Sequence, residues 1–150
     1  MTVMENVAFP LRQQGGVAEA EILERSESRL SQVELPGIGH LYPRELSGGM
    51  KKRVALARAT IASAPILLYD DPTAGLDPVT SSKIFRLIAD LHDPEGATVI
   101  VGHDVDRMVD VCDEWVMLYE AGVHFSGDTA AARASTDPIV QTFFADWQAT

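Results

Sequence analysis

Two adjacent carboxylates close an apolar run in "ILLYDDPTAGLD", residues 66–77, where Ile66, Leu67, Leu68 and Tyr69 lead into Asp70 and Asp71. Like charges this close repel, so a chain that ends a strand in two acids has a cation or a reacting proton for them. A second stretch, "LSGGMKKR" at 46–53, opens a helical segment. Ser47 can cap that helix, and Gly48 and Gly49 leave backbone bare enough for a ligand to approach. Lys51, Lys52 and Arg53 then fall in the first turn, where the helix dipole disfavours cations. Either an anion lies at this helix start, or three solvated side chains accept a cost of a few tenths of a kcal/mol each; the residues alone weigh these equally. A third polar group, His103, follows the apolar run 97–102. On its own it reads more readily as a satisfied core histidine than as a site residue.

The elements that would position these groups are legible from pattern. Residues 17–34 carry a helical stripe of Ile22, Leu23, Leu30 and Val33. "LPGIGHLYP" (35–43) is loop, and a helix is expected over 49–62, ended by Ser63-Ala64-Pro65. Strands are expected at 66–70 and 97–102. Between them Asp77-Pro78 reads as N-cap plus first residue of a helix running to about Leu91. A hairpin over 114–128 turns near Gly122, and 129–147 reads as two short helices separated near Asp137-Pro138. This order is α/β. Two continuously apolar strands are expected to run parallel and to be covered on both faces, with ligands bound beyond their carboxyl ends. Asp70, Asp71 and His103 all fall at those ends.

Composition bounds the rest. The chain has 150 residues, 46% hydrophobic and 23% charged, enough for a packed core. A net charge of −10, from 12 basic and 22 acidic residues, argues against nucleic-acid binding. The single cysteine, Cys112, permits no intrachain disulfide and reads as a small buried residue. No apolar run approaches the ~20 residues of a membrane span, and the first residues lack a signal-peptide pattern, so a soluble chain is expected.

Taken together, "LSGGM" with "KKRVALARA", then "ILLYDDPTAGLD", then "VIVGHD" resemble the nucleotide-binding subunit of an ATP-binding cassette (ABC) transporter, in order and spacing. The resemblance covers nearly the whole chain, from about Thr2 to Trp147. It implies a P-loop NTPase (RecA-like) α/β fold in partial form: a helical subdomain over 1–62, the second half of the ATPase core over 63–127, and a helical tail over 128–150. It also implies a role for each motif position. Leu46, Ser47, Gly48, Gly49 and Met50 match the signature motif, which grips the γ-phosphate of ATP held by the opposite subunit. Asp70 matches the Walker B aspartate, which holds Mg²⁺ through water. Asp71 stands where the family carries a glutamate that polarises the attacking water. Ala74, Gly75, Leu76 and Asp77 match the D-loop, and His103 matches the switch histidine; Asp77 can serve as N-cap as well.

Two departures accompany the resemblance. Asp71 is one methylene shorter than glutamate, and a catalytic group displaced by about 1 Å can cost of order 100-fold in rate. No G-x-x-x-x-G-K-[ST] occurs, and none of Lys51, Lys52 and Lys83 follows a glycine. "TVMENVAFPLR" resembles the family segment after the Q-loop, so the chain is expected to be a cassette without its front half, from a truncated gene or a misplaced start. Within the family, "YPRELSGGM", "DPTAGLDPVTS" and the tail motif DP-x-V-x-x-F resemble the cassettes of Mce/Mla-type phospholipid transporters. The implied ligands are ATP and Mg²⁺. The implied partners are a second cassette, identical or not, and a transmembrane permease. The implied location is cytoplasmic, on the inner face of the cytoplasmic membrane, reached only through the permease. Two rival readings accompany this one: a non-catalytic partner lending its signature motif to a full-length ATPase, and a non-functional fragment.

Overall fold

A computed structural model describes residues 1–144; the end of the predicted tail, including Trp147, lies outside the described residues. The chain divides into two compact units, Met1–Val101 and Gly102–Thr150.

The first unit begins with three helices: α1 (Val3–Gln14), α2 (Glu19–Gln32) and α3 (Gly48–Thr60). Pattern reading gives no element over α1, and Pro10 lies inside it. Proline removes one helical hydrogen bond and crowds the preceding turn. The helix forms nonetheless. The Thr2 hydroxyl and the Glu5 carboxylate each accept from the other's backbone N–H, at 3.2 and 2.6 Å, which caps the first turn. Val3, Val7, Ala8 and Leu11 are then fully buried on one face. Helix α2 buries Ile22, Leu30 and, just past its end, Val33; Leu23, expected on the same stripe, is 40% exposed.

Strand β1 (Ile66–Asp70), helix α4 (Pro78–Asp90) and strand β2 (Ala97–Val101) complete the unit. The strands pair in parallel, Ile66 opposite Ala97 through Asp70 opposite Val101. Among the described residues they form a two-stranded sheet. Here the expectation of strands covered on both faces is corrected. Tyr69 is buried, but Ile66, Leu68, Val99 and Val101 are 67, 68, 48 and 52% exposed. These four alternate with the inward residues, so one sheet face is apolar and bare.

The second unit holds α5 (Val105–Met108), β3 (Glu114–Tyr119), β4 (Gly122–Asp128), α6 (Thr129–Ala134) and α7 (Pro138–Phe144). The hairpin turns at Glu120 and Ala121, both at positive φ (47° and 61°), as a two-residue turn matched to strand twist requires. Trp115, Met117 and Phe125 pack against Ala132, Val140 and Phe144. The Trp115 indole N–H donates to Thr129 Oγ1 at 2.9 Å. Cys112 is half-buried rather than buried as expected, and burial pushes its thiol pKa up.

Candidate functional site

The first unit brings together three of the four motif segments singled out above. Ser47 is the N-cap of α3, its Oγ accepting from the Met50 N–H at 3.3 Å, and Leu46 behind it is buried. Asp70 is the last residue of β1 and is solvent-exposed. Asp71 follows, half-buried, with φ at +44°. This left-handed backbone is uncommon for a side-chain-bearing residue, and aspartate tolerates it better than most. The Asp71 N–H donates to Val101 O at 2.8 Å, continuing the β1–β2 ladder by one residue.

Pro72 and Thr73 are buried beyond the acids, while Ala74 and Gly75 are exposed. Gly75 sits at φ +75°, and two turn bonds fold the loop: Ala74 N–H to Asp71 O (3.2 Å) and Leu76 N–H to Thr73 O (3.1 Å). Asp77 caps α4, accepting from the Thr80 N–H at 3.0 Å and from the Thr80 hydroxyl. Those two bonds, side chain first, hold the Asp77 carboxyl below its ordinary range. The sign of the pH dependence follows. A depressed carboxyl stabilises fully above its unfolded pKa of about 3.9, and that stabilisation is lost as pH falls through the lower folded value. We expect an NMR titration of the Asp77 carboxyl carbon to show a midpoint below that of an unstructured aspartate. Thr80→Ala should return it toward the ordinary value.

The glycines of 48–49 have different surroundings. A Cβ on Gly48 would touch Leu76 Cδ2 at an ordinary 3.6 Å, but one on Gly49 would meet Thr80 Cγ2 at 2.9 Å. Gly49 therefore lets the start of α3 lie directly against the start of α4, a role sequence reading had given to ligand approach. Gly49→Ala should destabilise the chain by about 1–3 kcal/mol. The pair Gly49→Ala with Thr80→Ser, which removes the opposing methyl, should recover most of the loss, and Gly48→Ala should melt near wild type. Thermal unfolding of the three variants beside wild type checks this; an undisturbed Gly49→Ala would show that the contact yields without cost.

The cations of the first turn of α3 also have places. Lys51 is exposed. Lys52 Nζ donates to Asp71 O at 3.3 Å. Arg53 donates to Val33 O and Glu34 O at 3.2 and 3.1 Å, satisfying carbonyls at the end of α2. Its neighbour Glu34, at φ +58°, also pairs with Lys83, which holds the Glu34 carboxyl below its ordinary range. Two of the three cations thus tie elements together, which neither reading of the sequence contained. The D-x-x-T spacing of Asp77 and Thr80 was a readable signal; the partner of Lys52 was not, because it is set by the crossing of α3 over the β1 end.

His103 lies in the second unit and is exposed. Among the described residues no cluster of three His, Cys, Asp or Glu side chains is placed to hold a metal, and no helix is long and apolar enough to cross a membrane.

Comparison with known proteins gives this arrangement its class, the P-loop NTPase fold of ABC ATPase cassettes in partial form. The ABC transporter family profile matches residues 1–74. The methionine import ATP-binding protein MetN of Latilactobacillus sakei is 40% identical over 131 residues, covering 87% of this chain and 38% of that protein. The intermembrane phospholipid transport system ATP-binding protein MlaF of Escherichia coli K12 is 35% identical over 144 residues, covering 95% of this chain and 54% of that protein. Among solved structures, the dimeric ATP-binding cassette MJ0796 in a post-hydrolysis state with ADP and Pi superposes with a TM-score of 0.73. It is 32% identical over 85% of this chain and 56% of that one. The chain belongs to the ABC transporter ATP-binding cassette family. It spans about half the length, or less, of the curated relatives it matches.

Proposed function

We propose that this chain is part of the ATP-binding and ATP-hydrolysing subunit of an ABC transporter that moves a lipid, with phospholipid the best-supported cargo. The observation that carries the ATPase reading is the convergence of Leu46–Met50, Asp70–Asp71 and Ala74–Asp77 within one unit, in the order of the cassette motifs. In this reading Ser47, Gly48 and Gly49 present the start of α3 to the γ-phosphate of a nucleotide held by a second cassette, identical or different. The N-terminal end of a helix suits that anion. Asp71 orients the attacking water and His103 contacts the γ-phosphate. Ala74–Asp77 crosses to the second subunit.

Asp70 suits Mg²⁺. It offers one exposed carboxylate rather than a protein cage, and Mg²⁺ is held by one or two carboxylates, water and substrate phosphates. When bound, the ion neutralises charge on the phosphates. The same reading divides the chain into a helical subdomain (1–62), a half-core (63–127) and a tail (128–150), and seats the assembly on a permease at the cytoplasmic face of a membrane. The lipid cargo is supported by the name of MlaF, by SGGM at 47–50 and by the DP-x-V-x-x-F motif at 137–143. MetN, named for methionine import, sets the breadth of the family against it.

A second reading is that the signature-like motif at 46–50 completes a composite site on a partner that supplies the P-loop. Steady-state phosphate release separates the readings. We expect hydrolysis when the chain is fused behind a P-loop-bearing segment of an ABC cassette, and its loss on Ser47→Arg. Hydrolysis only on mixing with a separate full-length cassette supports the second reading. None in either format overturns both.

A further inference from the structure

Asp71 is held in an uncommon backbone conformation, φ +44°, and its peptide groups are fastened from three directions. Its N–H reaches Val101 O at 2.8 Å, and its carbonyl accepts from the Ala74 N–H at 3.2 Å. That carbonyl accepts also from Lys52 Nζ at 3.3 Å. The first two bonds are local to the strand end and its turn. The third arrives from another element: Lys52 lies one turn into α3, whose first residues are Gly48 and Gly49 and whose cap is Ser47. The Lys52 side chain is half-buried, so this bond is less exchanged with water than a surface one.

We infer that Lys52 is a positioning residue: it ties the helix that begins at Ser47–Met50 to the backbone of Asp71, so that a shift of α3 turns the Asp71 carboxylate. This rests on the reading above, in which Ser47–Met50 meets the nucleotide of one composite site and Asp71 serves the other. Under it, one chain carries both halves of a link between two sites. A small movement of the α3 start, imposed by nucleotide on one side, is delivered through a side-chain ammonium to the water-orienting acid on the other. A left-handed residue suits that use, because its conformation persists only while its surroundings hold it.

Lys52→Met keeps the aliphatic stem and removes the donor; Lys52→Arg keeps a donor of similar reach. The first measurement is amide hydrogen exchange on the 150-residue chain at high dilution. In Lys52→Met we expect the Asp71 and Ala74 amides to exchange about tenfold faster, with the Tyr69 and Val99 ladder amides unchanged and Lys52→Arg close to wild type. Unchanged exchange at Asp71 and Ala74 overturns the tether. The second measurement is ATP hydrolysis by the P-loop fusion. Lys52→Met should lower kcat by about 10- to 100-fold with KM for ATP within twofold, and Lys52→Arg should restore it. A rise in KM at constant kcat, or no recovery with arginine, overturns the positioning role. If the wild-type fusion does not hydrolyse ATP, the functional reading fails and takes the catalytic consequence with it. The exchange result alone then decides whether Lys52 holds Asp71.

Discussion

In the P-loop fusion, Asp71→Asn should reduce ATP hydrolysis by about 100-fold or more, whereas Asp71→Glu should raise it several-fold. A group that orients water and draws on its proton contributes 10²–10⁴-fold in typical cases, and asparagine keeps the shape without the charge. Asparagine also tolerates φ +44° as aspartate does, so the Asn variant should keep the fold and report chemistry alone. Glutamate adds the reach that aspartate lacks, about 1 Å, at a distance where such a shift is worth up to 100-fold. Its poorer tolerance of left-handed backbone works against the gain, and for that reason several-fold rather than 100-fold is expected. Phosphate release at saturating Mg-ATP checks both. Equal rates for aspartate and glutamate would mean that Asp71 already stands at the working distance or that chemistry does not limit turnover. Retention of more than a tenth of the rate by Asn would remove Asp71 from the reaction.

The second large effect concerns the chain by itself. Its parallel sheet shows one face of Ile66, Leu68, Val99 and Val101, and a β1 edge paired only on the β2 side among the described residues. Completing the burial of four side chains already about half covered contributes roughly 3–6 kcal/mol, taking about 1.5–3 kcal/mol for each full burial. An open edge adds unpaired backbone donors and acceptors that template further strands. The 150-residue chain should therefore self-associate as concentration rises. Sedimentation velocity should show mass increasing with concentration. Leu68→Lys with Val99→Glu, directly opposed on the bare face, should return it toward monomer without lowering the melting temperature. A wild-type monomer at high concentration, melting sharply and reversibly, would show that this face needs no cover.

The sequence carried much of this but not all. Ile66–Asp70 and Asp77-Pro78 were legible because each is decided locally, by an apolar run ended by charge and by a cap followed by proline. The short tail helices split at Asp137-Pro138 for the same reason, Asp137 accepting from the Ile139 and Val140 N–H groups. Helix α1 was not read from its apolar pattern, and Pro10 inside it works against a helix. Its Thr2–Glu5 capping pair and its fully buried Val3, Val7 and Leu11 outweigh one lost hydrogen bond. The bare sheet face was hidden because an apolar run looks the same whether one or both faces are covered. The carboxylates, the glycines and the α3 start were picked out by type. What Gly49 and Lys52 touch depends on how α3 crosses α4 and the end of β1, and no local pattern encodes that.

In the proposed function these residues are part of a nucleotide site that is complete only with a P-loop. Calorimetric titration with Mg-ATP tests it most directly, on the 150-residue chain and on its P-loop fusion side by side. We expect no low-micromolar binding by the chain alone and saturable low-micromolar binding by the fusion. Low-micromolar binding at one site on the chain alone, or none on a folded fusion, would contradict it.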